Sequence, residues 1–457
     1  MTTAPGSGPR RLALVQPIGR PSGDGHHREQ AEARHEAVGP LREAFGCDKT
    51  AARMSSAILS RSLMAYLASR FCAATAMTML RAGIAWHVFA LTGSPFHLGL
   101  IGVVQFLPAL GLVLVAGALA DAHDRRGIMA IAQAVALAAA LVLWRATGGG
   151  TVTVATLYAG IFVIAAATTF DGPARAALLP TLVPRDVFPR AVTIASTNQA
   201  LAFATGPALC GLLIAAAGIA AVYAAYVALL CGSLALLALV RAGHGEARRG
   251  AATWGAIREG LAFVRSRPVV LGCMVLDMFA VIFGGAAALL PVYATEILRV
   301  GPRGYGLLSA SLEIGALLTA LVLMVRPPIR RTGTALLVAV GVYGLATIAF
   351  GLSRWFPLSV AAYMLVGAAD QVSVVMRATA IQLSTPDALR GRVSAVSLLF
   401  IGASNQLGAA ESGFVAALTS APFAVVSGGL GCLAVLAAVA WRIPELRAYR
   451  LDRVARG

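Results

Sequence analysis

The sequence predicts an all-α membrane protein of twelve transmembrane helices, arranged as two pseudo-symmetric halves of six helices each. Of its 457 residues, 58% are hydrophobic and only 12% are charged, and the mean hydropathy is +0.79. A soluble domain carries about twice that share of charged residues. One membrane span needs roughly 20 apolar residues, so the chain holds material for about a dozen spans. The net charge of +17 gathers in alternate loops, which indicates membrane topology and argues against nucleic-acid binding.

Twelve apolar stretches are long enough to cross a bilayer, and they are named spans 1 to 12 in chain order. We predict them at 64–91, 96–120, 127–146, 151–170, 190–217, 219–241, 268–297, 304–326, 334–353, 356–380, 392–418 and 421–441. Loops after odd-numbered spans are short and poor in charge, whereas arginines collect in the loops after even-numbered spans. The positive-inside rule therefore predicts that both termini and every even-numbered loop lie in the cytoplasm.

The spans and the loops divide the chain into five segments. We predict a disordered basic tail at 1–62, six-helix halves at 63–241 and 268–443, a cytoplasmic linker at 242–267, and a second tail at 444–457. Three residues after span 4 recur at the same spacing near the end of span 10: Arg175, Pro184 and Arg190 match Arg377, Pro386 and Arg392. Repeated halves are typical of secondary transporters, whose binding site lies between the repeats.

A compact charged turn separates spans 2 and 3. It runs from Gly117 to Gly127 between two apolar stretches, and its charges cannot enter lipid. The turn resembles a signature of the major facilitator superfamily, whose matching residues here are Gly117, Leu119, Asp121, Arg125 and Arg126. Its Asp-Arg-Arg ending is similar to the branch of enterobactin-type siderophore exporters and macrolide-efflux proteins. The resemblance covers about 63–443 and implies a monomeric transporter in the plasma membrane, with no cofactor or metal.

A second motif resembles one found in exporters of the superfamily. Gly206, Pro207 and Gly211 lie in span 5, with Cys210 in place of a usual glycine. A proline bends the helix and glycines let a neighbouring helix approach closely, so the motif can support a tight seal. An arginine that the superfamily often carries in span 4 for proton coupling is absent, because 151–169 holds no charge.

Five ionisable residues lie inside predicted spans, where each charge costs about 2.5–3.5 kcal/mol on insertion scales. They are Arg81, Asp277, Glu313, Asp370 and Glu411. The resemblance implies that spans 1, 4, 7 and 10 line a central cavity, so that Arg81, Asp277 and Asp370 face the substrate path. We expect Arg81 to be neutralised by Glu313 or by Asp277, in an ion pair that a proton or the substrate can break.

These features imply export of a small amphipathic molecule, such as a siderophore, a macrolide or a drug, by proton antiport through alternating access. The alternative is a lipid or lysophospholipid translocator of the same fold. The chain has no GxxxxGK[ST] sequence that would bind a driving nucleotide. A membrane enzyme would need catalytic or metal-ligating clusters, and no such motif occurs. The expected partners are the transported molecule, protons and the bilayer, with no nucleic acid.

The charged turn is expected to act as a cytoplasmic latch. In the superfamily span 2 abuts span 11, so Asp121 can meet the amino-terminal end of span 11, whose dipole favours an anion. Arg125 and Arg126 can meet Asp171 at the end of span 4. The latch residues are Gly117, Asp121, Arg125, Arg126, Asp171, Arg175, Arg390 and Arg392. Their contacts would form only while the halves are closed on the cytoplasmic side.

The substitution Asp121→Asn should lower the transport rate and leave substrate binding largely intact. Each exposed pair contributes only roughly 0–1 kcal/mol, but a network of them can shift two conformations that differ by a few kcal/mol. Transport into everted vesicles and binding to the purified protein measure the two effects separately. A parallel loss of both, or an unchanged rate, would contradict the latch.

Overall fold

The computed structural model, which describes residues 61–184, 186–240, 254–327 and 329–450, is built of helices. Within these ranges, twelve helices are long and apolar enough to cross a membrane, which confirms the predicted number. The predicted tail at 1–62 lies outside the described residues except for Arg61 and Ser62. The described part of the second tail ends at Arg450.

The helices lie close to their predicted positions. Spans 1 to 6 are Arg61–Thr92, Pro95–Ala122, Arg125–Gly148, Val154–Leu182, Phe188–Ala217 and Ile219–Ala238. Span 7 covers Pro268–Ile297, and spans 8 to 12 are Gly301–Val325, Thr332–Leu352, Phe356–Leu383, Asp387–Leu418 and Ala421–Arg442. A helix at Trp254–Ser266, the linker helix, precedes span 7, and a short helix at Pro444–Arg447 follows span 12.

Span 4 continues past its predicted end, and the predicted linker contains a helix. Span 4 reaches Leu182, so Asp171 and Arg175 lie inside the helix and not beyond it. These two residues lie one turn apart on the same helix face and form an ion pair. Because the charges neutralise each other, the helix can continue past them. In the linker helix, Gly260 and Val264 are buried against the carboxy-terminal half, and Val264 is only 1% exposed. This packing stabilises a helix where none was predicted.

Span 7 has the predicted length but is not a continuous α-helix. Its α-helical part ends at Phe283, and a 3₁₀ turn, one α-turn and a π-helical turn complete it. The Tyr343 hydroxyl donates to the carbonyl of Gly284 at 3.3 Å. A methyl group on Gly285 would lie 2.5 Å from the carbonyl oxygen of Gly408. At the break, Gly284 therefore leaves room for the Tyr343 side chain of span 9, and Gly285 leaves room for the backbone of span 11.

The apolar core joins the two halves toward one membrane face only. We call the face at which span 1 begins the terminal face, and the opposite one the distal face. Toward the distal face, one cluster of buried side chains contains Leu80 of span 1, Tyr223 of span 6 and Tyr305 of span 8. Toward the terminal face there are two separate clusters, which contain Leu178 in the amino-terminal half and Met274 in the carboxy-terminal half. The halves therefore share one apolar core toward the distal face and have separate apolar cores toward the terminal face.

Close backbone contacts hold the distal face shut. Span 5 crosses span 8 where Gly211 meets Gly306, and a methyl group on Gly211 would lie 2.5 Å from the Cα of Gly306. Span 2 meets span 11 in the same way, where Gly99 lies against Gly413. Only small residues allow helices to approach so closely. We call these four glycines the distal seal.

The substitution Gly211→Val should open the distal seal. Overpacking at a close contact costs about 1–3 kcal/mol, which shifts the conformational equilibrium away from the closed seal by roughly tenfold or more. Cys210 is fully buried beside the seal. In a chain whose other cysteines are serine, a membrane-impermeant maleimide should label Cys210 about tenfold faster from the distal side.

The matched control for this experiment is Gly232→Val, because a side chain at Gly232 would meet open space. Right-side-out and everted vesicles distinguish labelling from the two faces. A comparable acceleration in the control, or unchanged labelling in Gly211→Val, would contradict the role of the seal.

Candidate functional site

A cavity of about 340 Å³ lies at the level of the membrane-spanning helices. It extends from Ile84, in the distal half of span 1, to Arg175, near the terminal end of span 4. Spans 1, 3 and 4 supply most of its wall, and span 2 adds Gln105 and span 11 adds Gln406. The lining combines apolar residues with three charged side chains, Arg81, Asp171 and Arg175, and with several amides and hydroxyls. Such a wall suits a ligand with an apolar body and a limited number of polar groups.

Arg81 places a cation in the wall of this cavity. Its side chain is exposed to the cavity although it lies well inside span 1. The charges of Arg81 and Glu313 interact across the interface between the halves, and Glu313 also interacts with Asp370 of span 10. Among the described side chains, Arg81 makes no direct ion pair. We call Glu313 and Asp370 the acidic pair; both are half-buried.

Two of the predicted site carboxylates have other partners. Asp277 forms a direct ion pair with Arg377 of span 10, and the two residues are 8% and 6% exposed. The expectation that Asp277 faces the substrate path or pairs with Arg81 is therefore wrong, because a buried carboxylate is held by the nearest buried cation. Glu411 is half-buried in span 11 and accepts a hydrogen bond from the Ser412 hydroxyl at 3.2 Å.

A polar network ties together four spans of the amino-terminal half. Asp171 pairs with Arg175 on span 4 and accepts a hydrogen bond from the Gln133 amide of span 3 at 3.4 Å. The Ser233 hydroxyl of span 6 donates to Gln133 at 2.8 Å and lies 2.9 Å from the Ser69 hydroxyl of span 1. Gln133 was not among the predicted site residues, although a lone amide in an apolar stretch could have indicated it.

The arginines of the charged turn contact backbone carbonyl groups. Arg126 donates to the carbonyls of Ala238 and Val240, both at 2.9 Å, and Arg125 donates to a carbonyl of span 4 at 3.2 Å. The predicted contact of either arginine with Asp171 is therefore wrong. The last carbonyls of a helix have no partner within the helix, and its dipole favours a cation there. Arg126 thus braces span 3 against span 6 within one half.

The other predicted latch residues lie near the terminal face. The backbone of Asp121 belongs to span 2, but its side chain lies outside the described part. Gly117 has open space where a side chain would be. Arg392 pairs with Glu259 of the linker helix, and Arg390 is exposed near the start of span 11. The contact between Asp121 and span 11 stays a prediction.

The exporter-like motif of span 5 lies at two close helix contacts. A methyl group on Gly206 would lie 2.8 Å from the backbone nitrogen of Met79 in span 1. Gly211 belongs to the distal seal, and the carbonyl of Pro207 would lie 3.0 Å from a methyl group on Gly306. The motif therefore joins span 5 to its own half and to the opposite half.

Sequence comparison assigns this arrangement to a family. Residues 57–456 match the transmembrane secretion effector family of major facilitator transporters. The chain belongs to this family. It is 29% identical over 378 residues to the multidrug efflux pump Tap of Mycolicibacterium fortuitum, which covers 79% of this chain and 91% of Tap. It is 28% identical over 135 residues to macrolide efflux protein A of Streptococcus pyogenes, which covers 30% of this chain and 33% of that protein.

The fold is shared with solved transporters of low sequence identity. The crystal structure of the nucleoside transporter NupG aligns with a TM-score of 0.65 at 12% identity, over 86% of this chain and 100% of NupG. At this identity the likeness establishes the fold alone. The protein is therefore a multi-pass membrane transporter of the major facilitator fold.

The substitution Asp277→Asn should destabilise the protein, because it leaves Arg377 buried without its carboxylate. Removing one partner of a buried pair costs about 3–5 kcal/mol. The matched control is Glu259→Gln, which breaks a largely exposed pair and should cost roughly 0–1 kcal/mol. Thermal unfolding in detergent compares the two variants. Adding Arg377→Gln to Asp277→Asn should recover part of the lost stability. Equal losses of stability in Asp277→Asn and Glu259→Gln would contradict the importance of burial.

Proposed function

We propose that this protein exports a small amphipathic molecule across the plasma membrane by proton antiport, with both termini in the cytoplasm. The observation that carries the proposal is a cavity lined by the amino-terminal half and by Gln406 of the carboxy-terminal half, in a protein whose halves meet at the distal seal and have separate apolar cores toward the terminal face. The arginine-rich even-numbered loops support a cytoplasmic terminal face. The efflux relatives support export as the direction of transport.

Alternating access would follow from opening and closing of the distal seal. A transporter of two repeated halves moves its substrate when the halves rock about a fixed site. With the distal seal closed, the cavity can receive a molecule from the terminal face. Separation of the glycine pairs would expose the same cavity to the distal face. A volume of about 340 Å³ falls at the small end of ligand sites, which favours a small molecule over a lipid.

We assign proton coupling to the acidic pair and Arg81. An ionised Glu313 attracts Arg81 across the interface and so favours contact between the halves. A proton on Glu313 removes that attraction and changes the relative free energies of the two conformations, as coupling requires. Asp277 has no such part, because Arg377 already neutralises it. The proposed machinery thus needs one chain, a small molecule and protons.

The substitutions Glu313→Gln and Asp370→Asn should each abolish accumulation driven by a proton gradient while leaving exchange of the molecule across the membrane. The charge that responds to the proton is removed, whereas the cavity wall is kept. Everted vesicles are tested with a siderophore, a macrolide and a cationic dye, before and after collapse of the gradient. The matched control is Glu296→Gln, which changes an exposed carboxylate at the end of span 7.

Three results would count against this proposal. Gradient-driven accumulation that survives both substitutions would remove the acidic pair from coupling. Transport by the unsubstituted protein that ignores the gradient would exclude antiport and favour a facilitator. Uptake in place of export would reverse the assigned direction.

A further inference from the structure

We propose that Gln105 and Gln406 form one hydrogen-bonding subsite for an uncharged amide, carbonyl or hydroxyl group of the transported molecule. Gln105 belongs to span 2 and Gln406 to span 11, so each half supplies one carboxamide. Both line the same cavity. The proposal rests on the proposed function, and it names the chemical group that the transporter recognises.

The two carboxamides lie at the same depth in the membrane. Spans 2 and 11 run in opposite directions and touch where Gly99 meets Gly413. One turn further along span 2, a methyl group on Gly102 would lie 2.6 Å from the backbone oxygen of Gln406. Gln105 follows one turn later, because an α-helix has 3.6 residues per turn. Gln105 and Gln406 therefore lie side by side, at the end of the cavity nearest the distal seal.

Among the described residues, no hydrogen bond involves the side chain of Gln105 or Gln406, although both are half-buried. Comparable amides in the spans have protein partners: Asn198 donates to Leu67, Gln199 accepts from Arg70, and Asn405 donates to Ile401. A polar group away from bulk solvent is costly unless it forms hydrogen bonds. The two carboxamides are therefore available to form hydrogen bonds with a polar group of a ligand.

The chemistry of the subsite follows from the amide group. Each carboxamide offers one acceptor oxygen and two N–H donors and carries no charge. Together they can donate to a carbonyl and accept from an N–H or O–H of one ligand. Met77 and Phe203, which are half-buried in the same wall, can contact the apolar body of that ligand. The subsite therefore selects amphipathic molecules that carry an amide, lactone or hydroxyl group.

The position of the subsite also links binding to release. A ligand bonded to both carboxamides bridges spans 2 and 11 beside the distal seal. When these spans separate at the distal face, the two amides move apart and one set of hydrogen bonds is lost. The affinity for the molecule then falls in the conformation that must release it, which favours export.

The test uses two fluorescent probes that differ in one group, an anthracene carboxamide and the methylanthracene in which a methyl group replaces the carboxamide, so that the second probe has no hydrogen-bonding group. Fluorescence anisotropy measures their binding to the purified full-length protein. The unsubstituted protein should bind the carboxamide roughly tenfold more tightly. Gln105→Leu and Gln406→Leu keep the side-chain volume, and each should bring this preference close to one. The preference of the double variant should be little lower than that of either single variant, because the two amides bind the same group of the ligand.

The matched control is Gln382→Leu, which changes an exposed glutamine at the terminal end of span 10 and should keep the preference. Equal binding of the two probes by the unsubstituted protein, including no binding of either, would overturn the subsite. An equal loss of affinity for both probes in the variants would also overturn it. Because binding is measured without transport, a retained preference in a protein that moves no substrate in vesicles would overturn only the proposed function.

Discussion

Backbone contact between helices of opposite halves is the constraint on which the rest of the structure depends. In lipid, apolar side chains gain little by leaving their surroundings, so helices associate through close packing of small residues. The glycine pairs Gly99–Gly413 and Gly211–Gly306 provide this packing at the distal face. With that face held together, the cores of the two halves can remain separate elsewhere. The cavity lies beyond these glycine contacts, toward the terminal face.

The protein places charges inside the membrane in three ways. Asp277 and Arg377 form a buried pair with little freedom to respond to a ligand. Asp171 and Arg175 belong to a network of amide and hydroxyl groups that fixes the amino-terminal half. Arg81 lines the cavity, as Asp171 and Arg175 do, but its opposite charge, Glu313, lies across the interface between the halves. The two direct ion pairs each stabilise one half. The attraction between Arg81 and Glu313, in contrast, changes when the halves move relative to each other.

Hydropathy and loop charge were enough to predict the twelve spans, because length and composition alone decide whether a segment can cross a bilayer. They could not predict the break in span 7, since Gly284 accepts a side chain from span 9. Nor could they choose Arg377 as the partner of Asp277, because that depends on which helix faces meet. The sequence has Gln105 as a lone amide in an apolar stretch and Gln406 next to Asn405, but their common depth could be known only from the pairing of spans 2 and 11.

The contact of Arg126 with the end of span 6 has a consequence for synthesis of the protein. The arginine leaves the ribosome early, but its acceptors at Ala238 and Val240 follow only after four more helices. Until then its charge holds the start of span 3 in the aqueous phase. When span 6 arrives, the amino-terminal bundle can close as a finished unit, before any of the second half exists. The contact of Gly99 with Gly413 can form only when span 11 has been made. The last helices therefore join the completed amino-terminal bundle to the second half.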